Sequence, residues 1–303
     1  MKIKQLLLLL ICCSIQLCAQ DYIDLVKIAN NKTTFETVAN DFETQVNNLN
    51  IEVYYPTRVN EKFVVITGFT IENTKLNLLQ GADSSKLLMT RLNLGIKHQH
   101  SEKWSGTYVL LPKLASDFED IGSRDFQFGA LAIFDYQYTS AWKLKFGLYS
   151  SSENFGTAIT PLIGFWHRSK SKKFYINATL PIRMDANYAI AKNFSFGTDL
   201  LTSLKSYHIT QTATDFYVQE QSVRFAFYSA IGFINNSLLL KAKIGFDTTD
   251  YGLYSSDETI GAQVLTFPLA TDSRNRLNSE FDGALFFGAD LIYRFDLTKE
   301  KKQ

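Results

Sequence analysis

Leu285-Phe286-Phe287-Gly288-Ala289-Asp290-Leu291-Ile292-Tyr293-Arg294-Phe295-Asp296-Leu297 is the stretch whose reading decides the fold. Every second position, from Leu285 through Phe287, Ala289, Leu291, Tyr293 and Phe295 to Leu297, is apolar, and the positions between include Gly288, Asp290, Arg294 and Asp296. Side chains alternate across a strand, so such a segment puts its apolar groups on one face and its charges on the other. A half-buried strand of a water-soluble sandwich is usually shorter, about 5–6 residues. A tilted strand that crosses a hydrocarbon layer needs about 9–11.

The same pattern recurs upstream. Phe126, Phe128, Ala130, Ala132, Phe134, Tyr136 and Tyr138 alternate with Gln127, Gly129, Asp135 and Gln137, interrupted only by Leu131 and Ile133. Leu238, Leu240, Ala242, Ile244 and Phe246 alternate with Leu239, Lys241, Lys243, Gly245 and Asp247, and Leu88 to His98 repeats the scheme. Composition agrees, with 24 Phe and 15 Tyr against 5 Pro, a balance that suits strands. The mature part of the chain has no apolar run of the roughly 20 residues that a membrane helix requires. Membrane residence therefore implies a closed β-barrel, because an open sheet would leave backbone groups unpaired in lipid. The alternative that alternation alone leaves open is a secreted sandwich.

The N-terminus bears on compartment. Lys2 and Lys4 precede an apolar run from Leu6 to Ile11, and Leu17-Cys18-Ala19 forms a small-residue cleavage site, so residues 1–19 read as an export signal cut before Gln20. Leu17 is too bulky for the alternative, lipoprotein processing at Cys18. All three cysteines, Cys12, Cys13 and Cys18, lie inside this segment, which leaves residues 20–303 as one exported domain without disulfides. That combination predicts a cell outer-membrane location.

Connections sharpen the reading. Short polar turns are expected at Asn60–Lys62, Ser101–Lys103, Thr139–Ala141, Ser169–Lys172, Ala191–Asn193 and Asn235–Ser237, alternating with longer loops at Thr74–Lys86, Ala115–Arg124, Ser150–Thr160, Ser206–Gln221 and Thr248–Glu280. Short periplasmic turns opposite longer extracellular loops are the habit of outer-membrane barrels. Trp104, Trp142 and Trp166 all adjoin short turns and are candidates for an aromatic girdle at the headgroups. Gly288 followed by Leu291, Tyr293 and Phe295 forms a candidate signal for the outer-membrane insertion machinery, although Thr298–Gln303 follows where a terminal Phe is usual. The predicted fold is an all-β, antiparallel transmembrane β-barrel of about 12–14 strands. Whether Tyr22–Ala29 is a strand, and whether Pro181 splits Lys173–Ile190 into two, sets the count.

Alternation also nominates the lumen. Arg91, Lys97, Lys143, Lys145, Arg224, Lys241, Lys243 and Arg294 should face inward together with Asp135, Asp247 and Asp290. Two readings stand: a mildly cationic pore that attracts anionic solutes, or charges that pair and solvate an interior of any function. The net charge of +1 gives no pull toward nucleic acid. Of the four histidines, His98, His100 and His167 fall at strand ends, and His208 falls in an expected outer loop beside Ser206, Tyr207 and Thr210. No nucleophile elbow, paired-carboxylate spacing or metal cluster accompanies it, so no catalytic residue, cofactor or metal is expected. Asp117, Glu119, Asp120 and Asp125 could draw a divalent cation, but they lack a ligand loop and read as a solvated surface.

Taken together, Phe63–Ile71, Leu92–Tyr108, Thr160–Pro181 and Phe286–Leu297 resemble an uncharacterised outer-membrane β-barrel family of Bacteroidota. Its pattern runs from Thr160-Pro161-Leu162-Ile163-Gly164 into an aromatic strand at Phe165-Trp166, a basic turn at Ser169–Lys173 and a strand ending in Leu180-Pro181. The resemblance implies a Gram-negative outer-membrane barrel and no agreed substrate. The expected function is passive passage or binding of small solutes or lipids by a monomer, in contact with outer-membrane lipid and the insertion machinery. The alternative is a closed structural or assembly barrel whose outer loops bind a partner.

Overall fold

The computed structural model describes residues 22–296, apart from 40–41, 82 and 211–214. The export signal and the tail Thr298–Gln303 lie outside the described residues. In chain order the strands are β1 (Tyr22–Glu36), β2 (Glu43–Arg58), β3 (Phe63–Leu76), β4 (Ser85–Gln99), β5 (Trp104–Ser116), β6 (Phe126–Thr139), β7 (Trp142–Glu153), β8 (Gly156–Arg168) and β9 (Phe174–Leu180). They continue as β10 (Arg183–Ala191), β11 (Phe194–Ile209), β12 (Phe216–Phe233), β13 (Leu238–Asp247), β14 (Asp250–Ser255), β15 (Gly261–Val264), β16 (Phe267–Pro268) and β17 (Ala284–Asp296). Among the described residues the only helical piece is a 3-10 turn at Ser123–Asp125.

Each of β1 to β12 pairs antiparallel with the next, β13 pairs with β17, and β17 returns to β1. The result is a closed barrel of 14 strands. Tyr22–Glu36 is thus a strand, and Pro181 does split its segment. Local chemistry explains the short turns. Asn60 Oδ1 accepts the N–H groups of Lys62 and Phe63 at 2.9 and 3.0 Å, and Asn235 and Asn236 take up φ values of 56° and 63° that asparagine tolerates.

The registers sort the side chains as the alternation requires. On β17, Leu285, Phe287, Leu291, Tyr293 and Phe295 form an exposed outer row, and Phe286, Asp290 and Ile292 are buried inside. Equivalent outer rows on β4, β6, β7, β12 and β13 make a continuous apolar belt.

The long-loop end departs from expectation. Residues 150–160 form no loop: β7 and β8 run on and turn within 154–155. The hairpin of β9 and β10 also turns tightly, at 181–182, so short connections occur at both ends. Most of Ser206–Gln221 is strand, and Thr248–Glu280 contains β14, β15 and β16. The upper half of β11 bridges to β5 at His208 and Ser116, and its Lys205 reaches Glu72 of β3 at 2.7 Å. Contacts with strands across the barrel require the sheet of β11, β12 and β14 to leave the wall and enter the lumen.

Its polarity shows why. Below Val223 the outer face carries Phe225 and Phe227, both exposed in the belt. Above it the same face carries Gln221, Gln219, Ser206 and His208 beside Leu204 and Tyr217, and the inner face carries Tyr207, Ile209, Val218, Tyr251 and Leu253. A polar outer face finds no partner in an apolar belt, so the sheet folds inward and buries its apolar side. Those five side chains pack on Phe35, Val46, Leu76, Leu87, Met89 and Ala115 of β1 to β5, with Phe281 from the following loop. At roughly 1.5–3 kcal/mol for each large apolar side chain buried, this core dominates the closure.

Candidate functional site

The candidate site is the lumen, with the folded-in sheet as a stopper at the long-loop end. A second apolar cluster, Phe155, Ala158, Tyr217 and Ile260, closes the other side of that sheet. The free edge of β11 is capped by side chains of the opposite wall. Glu153 accepts the Ser206 N–H at 2.7 Å and its hydroxyl at 3.0 Å, and Gln127 Nε2 donates to the Ser206 carbonyl at 3.1 Å. Lys113 pairs with the same Glu153. On the apolar side, Lys205 lies between Glu72 at 2.7 Å and Glu220 at 3.2 Å, and Arg224 meets Asp247 at 3.0 Å. These buried ions are each paired, the condition under which a low-dielectric interior accepts them.

The loop after β14 holds the stopper from outside. Arg274 stacks 4.0 Å from the Tyr254 ring and donates to Tyr217 and Gln219 at 2.8 and 2.7 Å. Asn278 caps the edge of β14, accepting from Leu253 N–H and donating to the Tyr251 carbonyl, and Arg276 grips Asp250 with two bonds of 2.6 and 2.7 Å. The Arg274 guanidinium, hydrogen-bonded to Asp272, holds that carboxyl below the usual carboxylate range. Burial pushes the Tyr217 hydroxyl up to about 12.

Below the stopper the lumen is charged. Arg91, Lys97, Asp135, Lys143, Lys145, Arg224, Lys241, Lys243, Asp290 and Arg294 all occupy inward register positions. Lys243 bridges Asp199 and Asp290 at 2.7 Å each, Lys27 approaches Asp290 at 3.5 Å, and Lys241 approaches Asp185 at 3.5 Å. Arg294 meets Asp24 at 3.0 Å and Lys97 meets Asp135 at 3.8 Å. On the opposite wall, among the described residues, Lys145 donates to neutral Asn177 and Thr179.

Three expectations are corrected. Trp166 does not belong to an outer girdle: it shares the inward row with Lys143 and Asn177 and is only 6% exposed. One residue of register separates it from the outer face, where Trp142 stacks on His167 at 4.1 Å and Trp104 lies on Tyr136. His208 is not in a loop but buried in β11, with Nδ1 2.9 Å from Asp125 Oδ1 and Nε2 3.7 Å from Asp215. Asp125 accordingly is not a solvated surface group. Among the described residues no cluster of His, Cys, Asp or Glu could hold a metal ion. The tie between Glu153, Lys113 and Ser206 is not legible in the sequence, because strands distant in the chain bring them together. Gly288 faces inward, whereas Leu291, Tyr293 and Phe295 form the outer row of β17.

A family model for a domain of unknown function, DUF6268, matches residues 18–260. The chain belongs to the DUF6268 family. No curated protein matches it. Solved structures similar to this DUF6268 barrel are outer-membrane channels and transporters. The COG4313 outer membrane channel from Pseudomonas putida F1 is 8% identical, with 94% of this chain and 100% of that one covered at a TM-score of 0.46. The P. putida toluene transporter TodX is 10% identical over 92% and 91% of the two chains, with a TM-score of 0.39. The NanC porin is 8% identical over 88% and 98%, with a TM-score of 0.37.

Proposed function

We propose that this protein is an outer-membrane barrel through which small solutes or lipids pass or in which they bind, its long-loop end extracellular and its mouth stoppered in the conformation described. The observation that carries this reading is a charged lumen below an internal sheet whose free edge is held to the wall by side-chain caps and one bridge rather than by a strand ladder. A strand ladder would have to break along its length to open, whereas this edge is tied at the Glu153–Ser206–Gln127 group and at the His208–Ser116 bridge. The apolar belt supports membrane residence, because so many exposed Phe and Leu side chains have a favourable environment only in lipid. Gly288, Leu291, Tyr293 and Phe295 serve in this reading as the insertion signal, and Trp104 and Trp142 as interface aromatics. The lumenal charges are the solute-contacting groups.

The test is conductance in planar bilayers, with uptake of small solutes by proteoliposomes beside it. Brief openings are expected from the native barrel, and more frequent ones from Glu153→Ala, which releases the β11 edge. A silent membrane and no uptake with both proteins would overturn the reading. The two apolar clusters that fill the mouth would then favour a closed structural barrel whose outer loops bind a partner.

A further inference from the structure

The barrel wall is incomplete at one place within its apolar belt. The β9–β10 hairpin stops level with Ile163 of β8 and Leu201 of β11. Above it β8 regains a neighbour only at Ile159, which pairs with Val264 and accepts the Leu265 N–H. On the β11 side, Thr202 closes the hairpin tip, its N–H donating to Ile182 O at 2.8 Å and its hydroxyl to Pro181 O at 3.0 Å. The next β11 group facing that way with a partner is Ser206. Backbone groups of successive strand residues point to opposite edges, so Pro161 on β8 and Leu204 on β11 face the gap without a strand partner. Proline has no N–H to strand in lipid, and both rims carry one, Pro161 on the strand and Pro181 at the tip. The opening is bounded on β8 by the paired residues Ile163 and Ile159, four residues of rise apart, ~13 Å. It lies within the belt, since Pro161 and Ile163 pair with Leu148 and Phe146, both exposed outer-face residues.

The lumenal side of this window is amphipathic. Leu201 faces inward yet is 40% exposed, an apolar side chain with nothing over it. Its register partner Arg183 also faces inward and is exposed. Among the described residues the Arg183 guanidinium makes no hydrogen bond or ion pair, although its backbone is part of the ladder. Asp185, two positions along, is already taken by Tyr175, Tyr228 and Lys241. Lys241, Lys243, Arg224 and Arg294 in the same lumen each have a carboxylate within 3.5 Å, whereas Glu52, Asp185 and Asp24 act on Arg183 from beyond bonding distance.

We infer that the window is a lateral port and that Arg183, behind it, receives the head group of a single-chain amphiphilic anion whose tail lies along Leu201 and Pro161. A guanidinium fork suits a carboxylate, and the exposed Leu201 beside it offers a seat for one alkyl chain. The ligand class is thus a free long-chain carboxylate. The inference rests on the proposed solute-binding reading and names the ligand of the same lumen.

The experiment uses the full-length mature barrel in nanodiscs of zwitterionic lipid, with dansyl-undecanoate as the fluorescent probe and empty discs as the blank. Saturable binding of one probe per barrel is expected, displaced by laurate and not by dodecanol or acetate. Arg183→Gln should weaken it at least tenfold. Leu201→Trp, which fills the port and keeps the cation, should weaken it comparably, with both variants checked for folding by the gel shift between unboiled and boiled samples. Equal competition by dodecanol, unchanged binding in Arg183→Gln, or displacement by lysophospholipid alone would each overturn the inference. Uptake of small solutes by proteoliposomes without probe binding would remove this inference and leave the proposed function intact. Absence of both would remove both.

Discussion

Tyr217 is a useful reporter because its hydroxyl donates to the Glu258 carbonyl at 2.9 Å and accepts from Arg274. Its pKa is raised, so the neutral form favours the folded loop: that contribution is complete below the ordinary value of 10 and is lost as pH rises through about 12. Tyr217→Phe should remove one tyrosine from those that ionise late in an absorbance titration at 295 nm, a difference read near pH 12. Asp272 has the opposite sign. Its pKa is lowered by Arg274, so its contribution is present above the ordinary carboxylate range and is lost as pH falls through the depressed value. Deeper in the stopper, Lys205→Met leaves Glu72 and Glu220 facing each other without their shared cation. A loss of about 3–5 kcal/mol is expected in reversible urea unfolding, and a change within ~0.5 kcal/mol, the usual range for surface substitutions, would mean that the triad is more hydrated than its burial indicates.

Among the elements, β15 depends on a single glycine. Gly156 has φ 129°, and a Cβ there would run into the carbonyl oxygen of Gly261, which pairs directly with it. Gly156→Val should therefore detach β15 and expose the 256–283 loop to protease, seen as faster cleavage there with the barrel otherwise protected. The alternation that identifies β4, β6, β13 and β17 was legible because those strands have one face in an apolar belt and the other in the lumen. It misled at Trp166, where the turn at 169–173 locates the residue near the rim but only register says which face it joins. The stopper had a signal too. Polarity switches faces between Phe225 and Gln221, and apolar Tyr207, Ile209 and Val218 take the inward positions. Read as part of an ordinary long loop, that reversal passes unnoticed.

At the scale of the molecule, closure by the β1–β17 pairing leaves no edge strand to open at the seam. Purified protein should accordingly migrate faster unboiled than boiled on a gel, and a soluble periplasmic protein with no such shift would contradict the membrane assignment. In the proposed reading, conductance depends on how often the sheet of β11, β12 and β14 leaves its seat rather than on lumen width. Strand content, the two-faced pattern and the short turns are legible in the sequence, because each is set by neighbours one or two residues away. Only the tertiary structure decided that β11, β12 and β14 cross the lumen, that Glu153 caps Ser206, and that Arg183 stands behind a gap in the wall. Those features depend on pairings between residues far apart in the chain, and period-two alternation records which face a side chain takes but not what stands opposite.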